Sequence, residues 1–328
     1  MTSKPVIKTI IPQMGNTYSS FPSVVEYNNY LYFYYRQGVK DSYQCHGLNG
    51  KVRCLRIEKA CLLGRFRDDD DSRPQLEMGE DFCVFDGENE LDAIVCRLES
   101  ELFTLCSRVY VRDTFAATYI SFSRLPMFDS RHEVVVKGVD WVVFYGKPFR
   151  WVSGYVFSAY GVLKGGTDSI PLVLYTEDFT SWSVMSYVKS IHKNVILNEN
   201  SIVYDGSRYI MFIRQDSAPY GIWYCVSGDL QGWSEPVKLI SSAVAPMAIV
   251  KDGRCLLSFR YLYNNDHSAI SIISPFEEVK MDNIETYEGS PFDGGYTDLT
   301  FIDDCLFVLY YVGNVNGEPY IRLAKVSI

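Results

Sequence analysis

The stretch SIVYDGSRYIMFIR (Ser201–Arg214) has two close counterparts in the same chain, SVVEYNNYLYFYYR (Ser23–Arg36) and MAIVKDGRCLLSFR (Met247–Arg260). All three have the same length and contain an apolar run, a turn pair near the middle, a second apolar run and a final arginine. Runs rich in Val, Ile, Tyr and Phe on both sides of an Asn or Asp-Gly turn are typical of β-hairpins. The pattern therefore predicts a hairpin unit that recurs along the chain.

A second element follows some of these hairpins. It reads TEDFTSW (Thr176–Trp182) and SGDLQGW (Ser227–Trp233), with a hydroxyl residue, an Asp and a Trp at fixed spacing. An Asp in such a turn accepts backbone N–H groups, while the Trp fills apolar space between sheets. A hairpin followed by two more strands around this turn is a propeller blade. We therefore predict an all-β fold, a six-bladed β-propeller, with five blades as the alternative.

The repeats divide the whole chain, residues 1–328, as a single propeller domain. We expect the N-terminal residues to pair with a late strand and so close the ring, which removes open sheet edges. The acidic run at residues 68–71 and the segment Ser123–Val134 are predicted to be long loops. The expected blades cover residues 18–64, 73–125, 140–187, 195–240, 243–280 and 290–328.

Composition excludes several classes of function. Aromatic residues make up 15% of the chain, which favours strands, and the net charge of −9 argues against a nucleic-acid partner. No apolar run is long enough for a membrane span, and the N-terminus lacks the apolar core of a signal peptide. The nine scattered cysteines and four histidines show no metal-ligand spacing, so reduced thiols, no metal and no cofactor are expected. A cytoplasmic or virion-associated location follows as an expectation.

The three terminal arginines are the first candidates for a binding site. A charged guanidinium is costly to bury unpaired, so Arg36, Arg214 and Arg260 at matched positions need an explanation. Each could bridge neighbouring blades through an acidic residue. Alternatively, a radial repeat could point all three at one place, where their planar forks would hold a carboxylate or phosphate.

Four further residues could carry chemistry beside them. Glu199 enters a strand fifteen residues before Arg214, which is a possible partner for it. Tyr296 follows two glycines that would let the backbone approach a ligand closely. Asp71, in the acidic run, and Asp293 are candidates for a general acid or a substrate-binding residue, with burial raising the carboxyl pKa; otherwise the acidic run is a solvated loop.

Together these features resemble the sialidase superfamily of six-bladed propellers that carry Asp-box turns. The resemblance covers most of the chain, is weakest over residues 60–140, and is carried by FPSVVEYNNYLYFYYRQG, NENSIVYDGSRYIMFIR, LLSFR and GGYTDLTFIDDCLFVLYY. It implies an arginine cluster that holds a sugar carboxylate, matched by Arg214 and Arg260. It also implies a Tyr nucleophile assisted by a Glu, matched by Tyr296 and Glu199, and an Asp as acid/base. A neutral Tyr nucleophile avoids repulsion by the sugar carboxylate, and it is an exception to the two-carboxylate scheme of glycosidases.

The chain also departs from the family pattern. Its Asp-box turns are one residue shorter than Ser-x-Asp-x-Gly-x-x-Trp and lack the Gly, a form that also resembles turns in five-bladed furanosidases. The Phe-Arg-Ile-Pro motif is absent, and Phe21-Pro22-Ser23 stands in its place without the arginine. Arg36 is a candidate for that missing arginine, and no motif identifies the acid/base Asp.

Two functions of different classes follow. The first is a sialidase-like glycoside hydrolase that acts on an acidic glycan, with Tyr296 and Glu199 as nucleophilic pair, Asp71 as acid, and Arg36, Arg214, Arg260 and Asp293 around the substrate. The alternative is a non-catalytic glycan-binding propeller, such as a receptor-recognition module of a virus particle or surface assembly. A scaffold whose propeller face binds protein is a third possibility. The partner expected in the first two cases is an acidic oligosaccharide or glycoconjugate, without nucleic acid. The sequence leaves the sugar, the linkage, exo or endo cleavage and the oligomeric state open.

Overall fold

Three turn pairs each connect two strands of a hairpin through a loop of two residues. The pairs Asn28-Asn29, Asp252-Gly253 and Asp303-Asp304 have φ between +46° and +76° at every position. Asn, Asp and Gly tolerate this left-handed region, and two consecutive residues in it match the right-handed twist of the flanking strands. The fourth pair, Asp205-Gly206, lies in a longer loop with Gly206 at φ +101°. These turns explain why the chain folds as a succession of hairpins.

The computed structural model describes residues 4–41, 44–67, 79–87, 89–111, 114–124, 128, 130–190, 192, 194–264, 267–277, 281–288, 294–313 and 319–327. Their strands form six small antiparallel sheets, so the fold is an all-β, six-bladed propeller, and the five-bladed alternative is excluded. In five of the six blades the first strand lies next to the first strand of a neighbouring blade, around the propeller axis. Among the described helices, none has the length and apolar character needed to cross a membrane.

The elements follow one another blade by blade. Strand β1 (Val6–Ile11) opens the chain and belongs to the last blade. The first blade holds β2 (Thr17–Tyr27), β3 (Tyr30–Asp41), β4 (Gln44–Glu58), helix α1 (Lys59–Arg65) and β5 (Glu80–Phe85). The second holds β6 (Glu90–Arg97), β7 (Phe103–Val111), β8 (Thr114–Ser123) and β9 (His132–Glu133). The third holds β10 (Val139–Phe144), β11 (Phe149–Trp151), β12 (Gly154–Leu163), β13 (Ile170–Thr176) and β14 (Ser183–Tyr187).

The remaining three blades have four strands each. The fourth holds β15 (Leu197–Tyr204), β16 (Tyr209–Gln215), β17 (Gly221–Ser227) and β18 (Val237–Ser241). The fifth holds β19 (Ala243–Lys251), β20 (Arg254–Leu262), β21 (His267–Ile273) and β22 (Asp282–Glu288). The last holds β23 (Gly294–Ile302), β24 (Cys305–Val312), β25 (Tyr320–Val326) and, outermost, β1.

Strand β1 closes the ring. It runs antiparallel to β25, with Val6 opposite Lys325 and Ile11 opposite Ile321. The prediction that N-terminal residues pair with a late strand is therefore confirmed. Closure matters because β1 and β25 then belong to one sheet, in which each is held by hydrogen bonds to the other.

The boundary between the first two blades differs from the prediction. Strand β5 was expected to lie in the second blade, but it pairs with β4 and completes the first. The second blade begins only at Glu90. The reason is an insertion: helix α1 and the residues after it lengthen the first blade, so a regular repeat spacing places the boundary too early.

The apolar core lies between neighbouring blades. Tyr35 of the first blade packs in one cluster with Phe307 and Leu309 of the last, and Val156 and Met211 join the third and fourth blades in another. Sheets that pack face to face bury the side chains of alternate residues, so each blade is stabilised from both sides.

The two Asp-containing turns stabilise these contacts as the pattern predicts. Asp178 accepts hydrogen bonds from the backbone N–H groups of Thr180 and Ser181 at 2.8 and 2.7 Å, which lower its pKa to about 2. Trp182, at the end of the turn, is buried against Phe144. In the fourth blade, the indole N–H of Trp233 donates to the Ser186 hydroxyl of the third at 3.0 Å. In the third blade, Phe179 of the turn stacks on Phe122 of the second blade, so each turn ties its blade to the blade before it.

Candidate functional site

The inner strands are interrupted at one level around the propeller axis. Bulges occur in β2, β6, β15, β19 and β23 where each faces the axis, and in the third blade the inner strand breaks between β10 and β11. Several residues at these points have positive φ: Phe21, Asp92, Ala245, Gly294 and Gly295. A bulge re-aims the side chains next to it, and bulges are frequent beside active sites. Here they turn polar side chains toward the axis.

A cavity of about 300 Å³, hereafter the axial cavity, lies at this level. All six blades contribute to its wall, from Phe21 in the first to Tyr296 in the last. Four cations and three carboxylates are among the described residues that line it, which gives a net charge of +1 in a protein of net charge −9. They are Arg108, Lys147, Arg214, Arg260, Asp92, Glu199 and Asp298. The electrostatics of the cavity therefore favour an anion.

Tyr296, Glu199 and Arg214 form one hydrogen-bonded group on the cavity wall. The Tyr296 hydroxyl donates to Oε1 of Glu199 at 2.8 Å. The Nη1 atom of Arg214 lies 2.7 Å from the same Glu199 oxygen and 3.3 Å from the Tyr296 hydroxyl. Glu199 is 5% exposed, and its Oε2 atom has no hydrogen-bond partner among the described residues. The structure thus brings together residues that are 97 positions apart in sequence.

The aromatic ring of Tyr296 is held on several sides. Its centroid lies 5.2 Å from that of Phe21, 6.1 Å from that of Tyr145 and 6.3 Å from that of Tyr311. Burial, followed by the negative charge of Glu199, raises the pKa of Tyr296 well above its usual value of 10, although Arg214 and Arg260 oppose this. The phenol is therefore neutral near neutral pH, and a carboxylate is in place to accept its proton.

Arg260 differs from the other arginines of the cavity. It is 2% exposed, and its guanidinium lies 5.8 Å from the centroid of the Tyr296 ring. Its Nη1 atom donates to the carbonyl oxygen of Gly294. Within the described part of the chain, its Nε atom has no hydrogen-bond partner and the guanidinium is in no ion pair. A buried positive charge without a carboxylate partner is costly. Of the arginines that line the cavity, Arg260 is therefore the one best suited to bind an anion.

The two glycines before Tyr296 have a use that the sequence pattern did not indicate. Gly294 and Gly295 both have positive φ, and a Cβ on Gly295 would lie 2.6 Å from Cδ of Arg260. The absence of side chains therefore makes room for the stem of Arg260. Any approach of this backbone to a ligand stays a prediction.

Arg36 does not reach the axial cavity, and the prediction that it joins the arginine clamp is wrong. It is fully buried between the first two blades, where its Nε atom donates to the carbonyl oxygen of Glu90 at 2.6 Å. Its Nη2 atom donates to Oδ1 of Asn89 at 3.0 Å. Gly38 and Gly50 leave space for the guanidinium, since a Cβ on either would lie within 2.7 Å of an Arg36 nitrogen atom. Arg36 is thus the blade-bridging arginine of the alternative interpretation, and its contacts include a backbone carbonyl and an amide oxygen of the second blade.

We expect Arg36→Met to lower the free energy of unfolding by about 2 kcal/mol, because buried acceptors lose their donor. Binding of a carboxylate in the axial cavity should stay within about twofold of wild type. Urea denaturation and calorimetric titration measure the two quantities. Unchanged stability together with lost carboxylate binding would contradict this placement.

The three matched arginines do not share one strand register, and register alone does not decide which of them lines the cavity, because Arg36 and Arg260 agree in register and only Arg260 lines it. Arg36 pairs with Ser20 and Arg260 with Val244, each just before the bulge of the inner strand. In the fourth blade the residue at the equivalent position is Gln215, which pairs with Leu197 just before the bulge. Arg214 stands one residue before that position. Equal spacing in sequence therefore hides a shift of one residue, which places a strand side chain on the other face.

Arg108 and Asp92 line the cavity but escaped the sequence analysis. Arg108 lies opposite Leu91, in the same register as Arg36 and Arg260. Asp92, in the adjoining bulge, accepts hydrogen bonds from both Nε and Nη2 of Arg108, the latter at 2.9 Å. The signal was present, because Ile94–Arg108 is also strand, turn, strand and arginine. Its turn lacks an Asn or Asp-Gly pair and is longer, so the stretch did not match the pattern.

Lys147 and Asp298 close the bottom of the axial cavity. The Nζ atom of Lys147 lies 2.6 Å from Oδ2 of Asp298 and donates to the carbonyl oxygen of Val95 at 2.8 Å. Asp298 in turn accepts from the Ser23 hydroxyl and the Val24 N–H group, both at 2.8 Å. This cluster joins the first, second, third and last blades at the axis.

Two predicted residues, Asp71 and Asp293, lie outside the described part of the chain.

Comparisons with known proteins place the fold. No family model and no curated protein matches the sequence. A protein of unknown function from Dyadobacter fermentans is similar in structure, with a TM-score of 0.79, 14% identity and 99% of both chains covered. The Trypanosoma rangeli sialidase gives a TM-score of 0.64 at 11% identity, over 97% of this chain and 57% of the sialidase. The parainfluenza virus 5 hemagglutinin-neuraminidase ectodomain gives 0.61 at 10% identity, over 99% of this chain and 84% of that one.

These similarities concern the fold alone, since the identities are so low. The chain shares a six-bladed propeller with sialidases and a viral neuraminidase. It spans a little over half the length of the trypanosomal sialidase. What the cavity binds and does must therefore be argued from its own residues.

Proposed function

We propose that the protein is a sialidase-like glycoside hydrolase that acts on an acidic glycan. The observation that carries the proposal is the contact of 2.8 Å between the Tyr296 hydroxyl and Glu199, on the wall of a cavity that also presents Arg260. Among the structural neighbours, the T. rangeli sialidase has been determined in complex with sialic acid. A sialic acid carries the carboxylate that the charge of the axial cavity would attract.

The carboxylate of the sugar would bind beside Arg260. Within the described residues this guanidinium is buried without an ion-pair partner, so an incoming carboxylate supplies the missing charge. Arg108 and Arg214 are each already paired with an acidic side chain. They add positive potential to the cavity, while Arg260 forms the new ion pair.

The same contacts support a nucleophilic role for Tyr296. Its oxygen would attack the anomeric carbon while its proton passes to Oε1 of Glu199, and the bond to the leaving oxygen breaks with its electron pair. Arg214, 3.3 Å from the Tyr296 hydroxyl, would stabilise the negative charge that develops there. Water would then attack the anomeric carbon and give its proton to the group that had protonated the leaving oxygen, while the bond to the Tyr296 oxygen breaks and Glu199 returns the proton to that oxygen.

The leaving oxygen needs a proton from a general acid. The carboxylates that line the cavity within the described residues are Asp92, Glu199 and Asp298, and each is in an ion pair. An ion pair with a cation favours the charged form of a carboxylate, which makes it a poor acid. We therefore propose Asp71 for this role and Asp293 as a substrate-binding residue.

The pairing of these carboxylates also supports a second candidate function. A cavity that holds an acidic glycan without an acid catalyst would be a recognition site, as in a receptor-binding module of a virus particle or surface assembly. The two candidates agree on the ligand class and differ in turnover, so the same ligands test both.

The proposal predicts that Arg260→Gln weakens binding of free sialic acid by about 30-fold, because the only unpaired guanidinium among the described cavity residues is lost. The methyl ester of the sugar, which lacks the charge, should bind wild type and variant alike. Calorimetric titration measures both affinities. The matched control is Arg254→Gln in the same strand, an exposed arginine paired with Glu277.

Because Arg260→Gln also removes the donor to the Gly294 carbonyl, urea denaturation of the variant checks that it is folded before the affinities are compared. If the wild-type protein binds no acidic sugar on a broad panel, the proposal is wrong. If Arg260→Gln binds the acid as tightly as wild type, the carboxylate lies elsewhere.

A further inference from the structure

Arg214 is shared between two carboxylates. Its Nη1 atom contacts Glu199 at 2.7 Å, and its Nη2 atom contacts Oδ1 of Asp216, two residues further along. The two acids thus lie on different arms of one guanidinium. Glu199 is buried and lines the axial cavity, whereas the side chain of Asp216 is 36% exposed at the top of the fourth blade.

Asp216 is held firmly in this position. Its Oδ2 atom accepts a hydrogen bond from Nδ2 of Asn198 at 2.8 Å, and its backbone N–H donates to the carbonyl oxygen of Ile196 at 2.8 Å. The other side-chain atom of Asn198, Oδ1, accepts from the N–H of Glu199 at 2.7 Å. Asn198 is 4% exposed and therefore connects the segments that carry the two acids.

The charges of the two acids act on each other through the shared arginine. Burial raises the pKa of Asp216, Arg214 lowers it, and Glu199 raises it again. A guanidinium that served Glu199 alone would place its full charge on that carboxylate and weaken it as a proton acceptor. Division of Arg214 between two carboxylates leaves less of its positive charge facing Glu199 and less of it for a ligand.

We propose that Asp216, braced by Asn198, is a positioning residue that draws part of the Arg214 charge away from Glu199, and so favours proton transfer from Tyr296 over tight binding of the substrate carboxylate. The inference rests on the proposed function, because it assigns Glu199 the proton. It predicts that affinity and turnover change in opposite directions, since the same positive charge attracts the anion and weakens the base.

The test compares Asp216→Asn with wild type. Affinity for free sialic acid should rise about fivefold in Asp216→Asn, because a negative charge near the anion is removed, while affinity for its methyl ester stays within about twofold. In turnover of a fluorogenic sialoside, kcat should fall about 30-fold and KM should fall with the improved binding. Asp216→Glu, which keeps the charge, should return both quantities to within about threefold of wild type.

The control is Asp304→Asn, which removes an exposed ion pair with Lys251 and the same unit of charge at a residue that does not line the axial cavity. It should leave affinity and turnover unchanged. A merely structural Asp216 would lose affinity and turnover together in Asp216→Asn, and that result overturns the inference, as does an unchanged affinity for the acid.

The outcomes separate the two proposals. Wild-type protein that binds sialic acid without cleaving it would overturn the hydrolase proposal, and the affinity of Asp216→Asn would still decide whether Asp216 withdraws charge from Arg214. Wild-type cleavage with parallel losses in Asp216→Asn would overturn only the inference. Wild-type protein that binds no acidic sugar would overturn both.

Discussion

Tyr296→Phe is expected to reduce kcat for a fluorogenic sialoside by roughly a thousandfold or more, because the variant lacks the oxygen atom that attacks the anomeric carbon. Affinity for free sialic acid should stay within about threefold of wild type, since the ring and the arginines remain. The ring is held by Phe21, Tyr145 and Tyr311, so the substitution removes one hydroxyl without leaving a cavity. Initial rates and calorimetric titration measure the two effects.

The matched control is Tyr204→Phe, the same chemical change at a residue that is 50% exposed and outside the axial cavity. It should have wild-type turnover. Full activity of Tyr296→Phe would exclude Tyr296 as nucleophile. Binding by the wild-type protein without any turnover would instead select the recognition module, and Tyr296→Phe would then have no effect on function beyond its small change in affinity.

Lys147→Met is expected to lower the free energy of unfolding by about 3 kcal/mol or more, because it leaves the Asp298 carboxylate buried without its cation. Asp298 is 2% exposed, and its Oδ1 atom has no hydrogen-bond partner within the part of the chain that the structure describes. Loss of Lys147 also removes donors from Ser23, Val24 and Val95, which come from neighbouring blades. Equilibrium denaturation in urea measures the change.

The double variant Lys147→Met/Asp298→Asn should regain more than half of the lost stability. The neutral amide oxygen can still accept the Ser23 and Val24 hydrogen bonds, and no buried charge is left uncompensated. The exposed pair Lys51 and Asp86 has a similar N–O distance of 2.7 Å, so Lys51→Met serves as the control and should cost less than about 0.5 kcal/mol. Equal losses in the two single variants would show that burial of the axial pair has no special weight.

Local sequence patterns predicted much of the fold. The pairs Asn28-Asn29 and Asp252-Gly253 specify tight hairpins, because few other residues tolerate two consecutive positive φ values. The spacing of Asp178 and Trp182 specifies a turn whose hydrogen bonds are all local. Such features depend on residues that are neighbours in sequence, so they can be predicted from the sequence alone. The predicted end of the first blade is wrong because the pairing there is not local. An inserted helix separates β5 from β4, the strand with which it pairs.

The candidate site could likewise be predicted from the sequence only where its residues stand in recognisable local patterns. Glu199 and Arg214 belong to one hairpin, and Arg260 and Tyr296 stand at recognisable strand positions, so the sequence could single them out as candidates. Their roles remain proposals.

What the sequence by itself determined is the repeated hairpin, the Asp-containing turns and hence a propeller of five or six blades, because each depends on residues close together in the chain. The six sheets of the structure decided the number. Only the tertiary structure decided which charged side chains meet at the axis. A shift of one residue in strand register reverses the direction of a side chain, and the packing of neighbouring blades selects its partners. Arg36 and Arg108 share a register, yet Gly38 and Gly50 leave room for Arg36 between blades, where it binds Asn89 and Glu90. Arg108 instead pairs with Asp92 and lines the axial cavity.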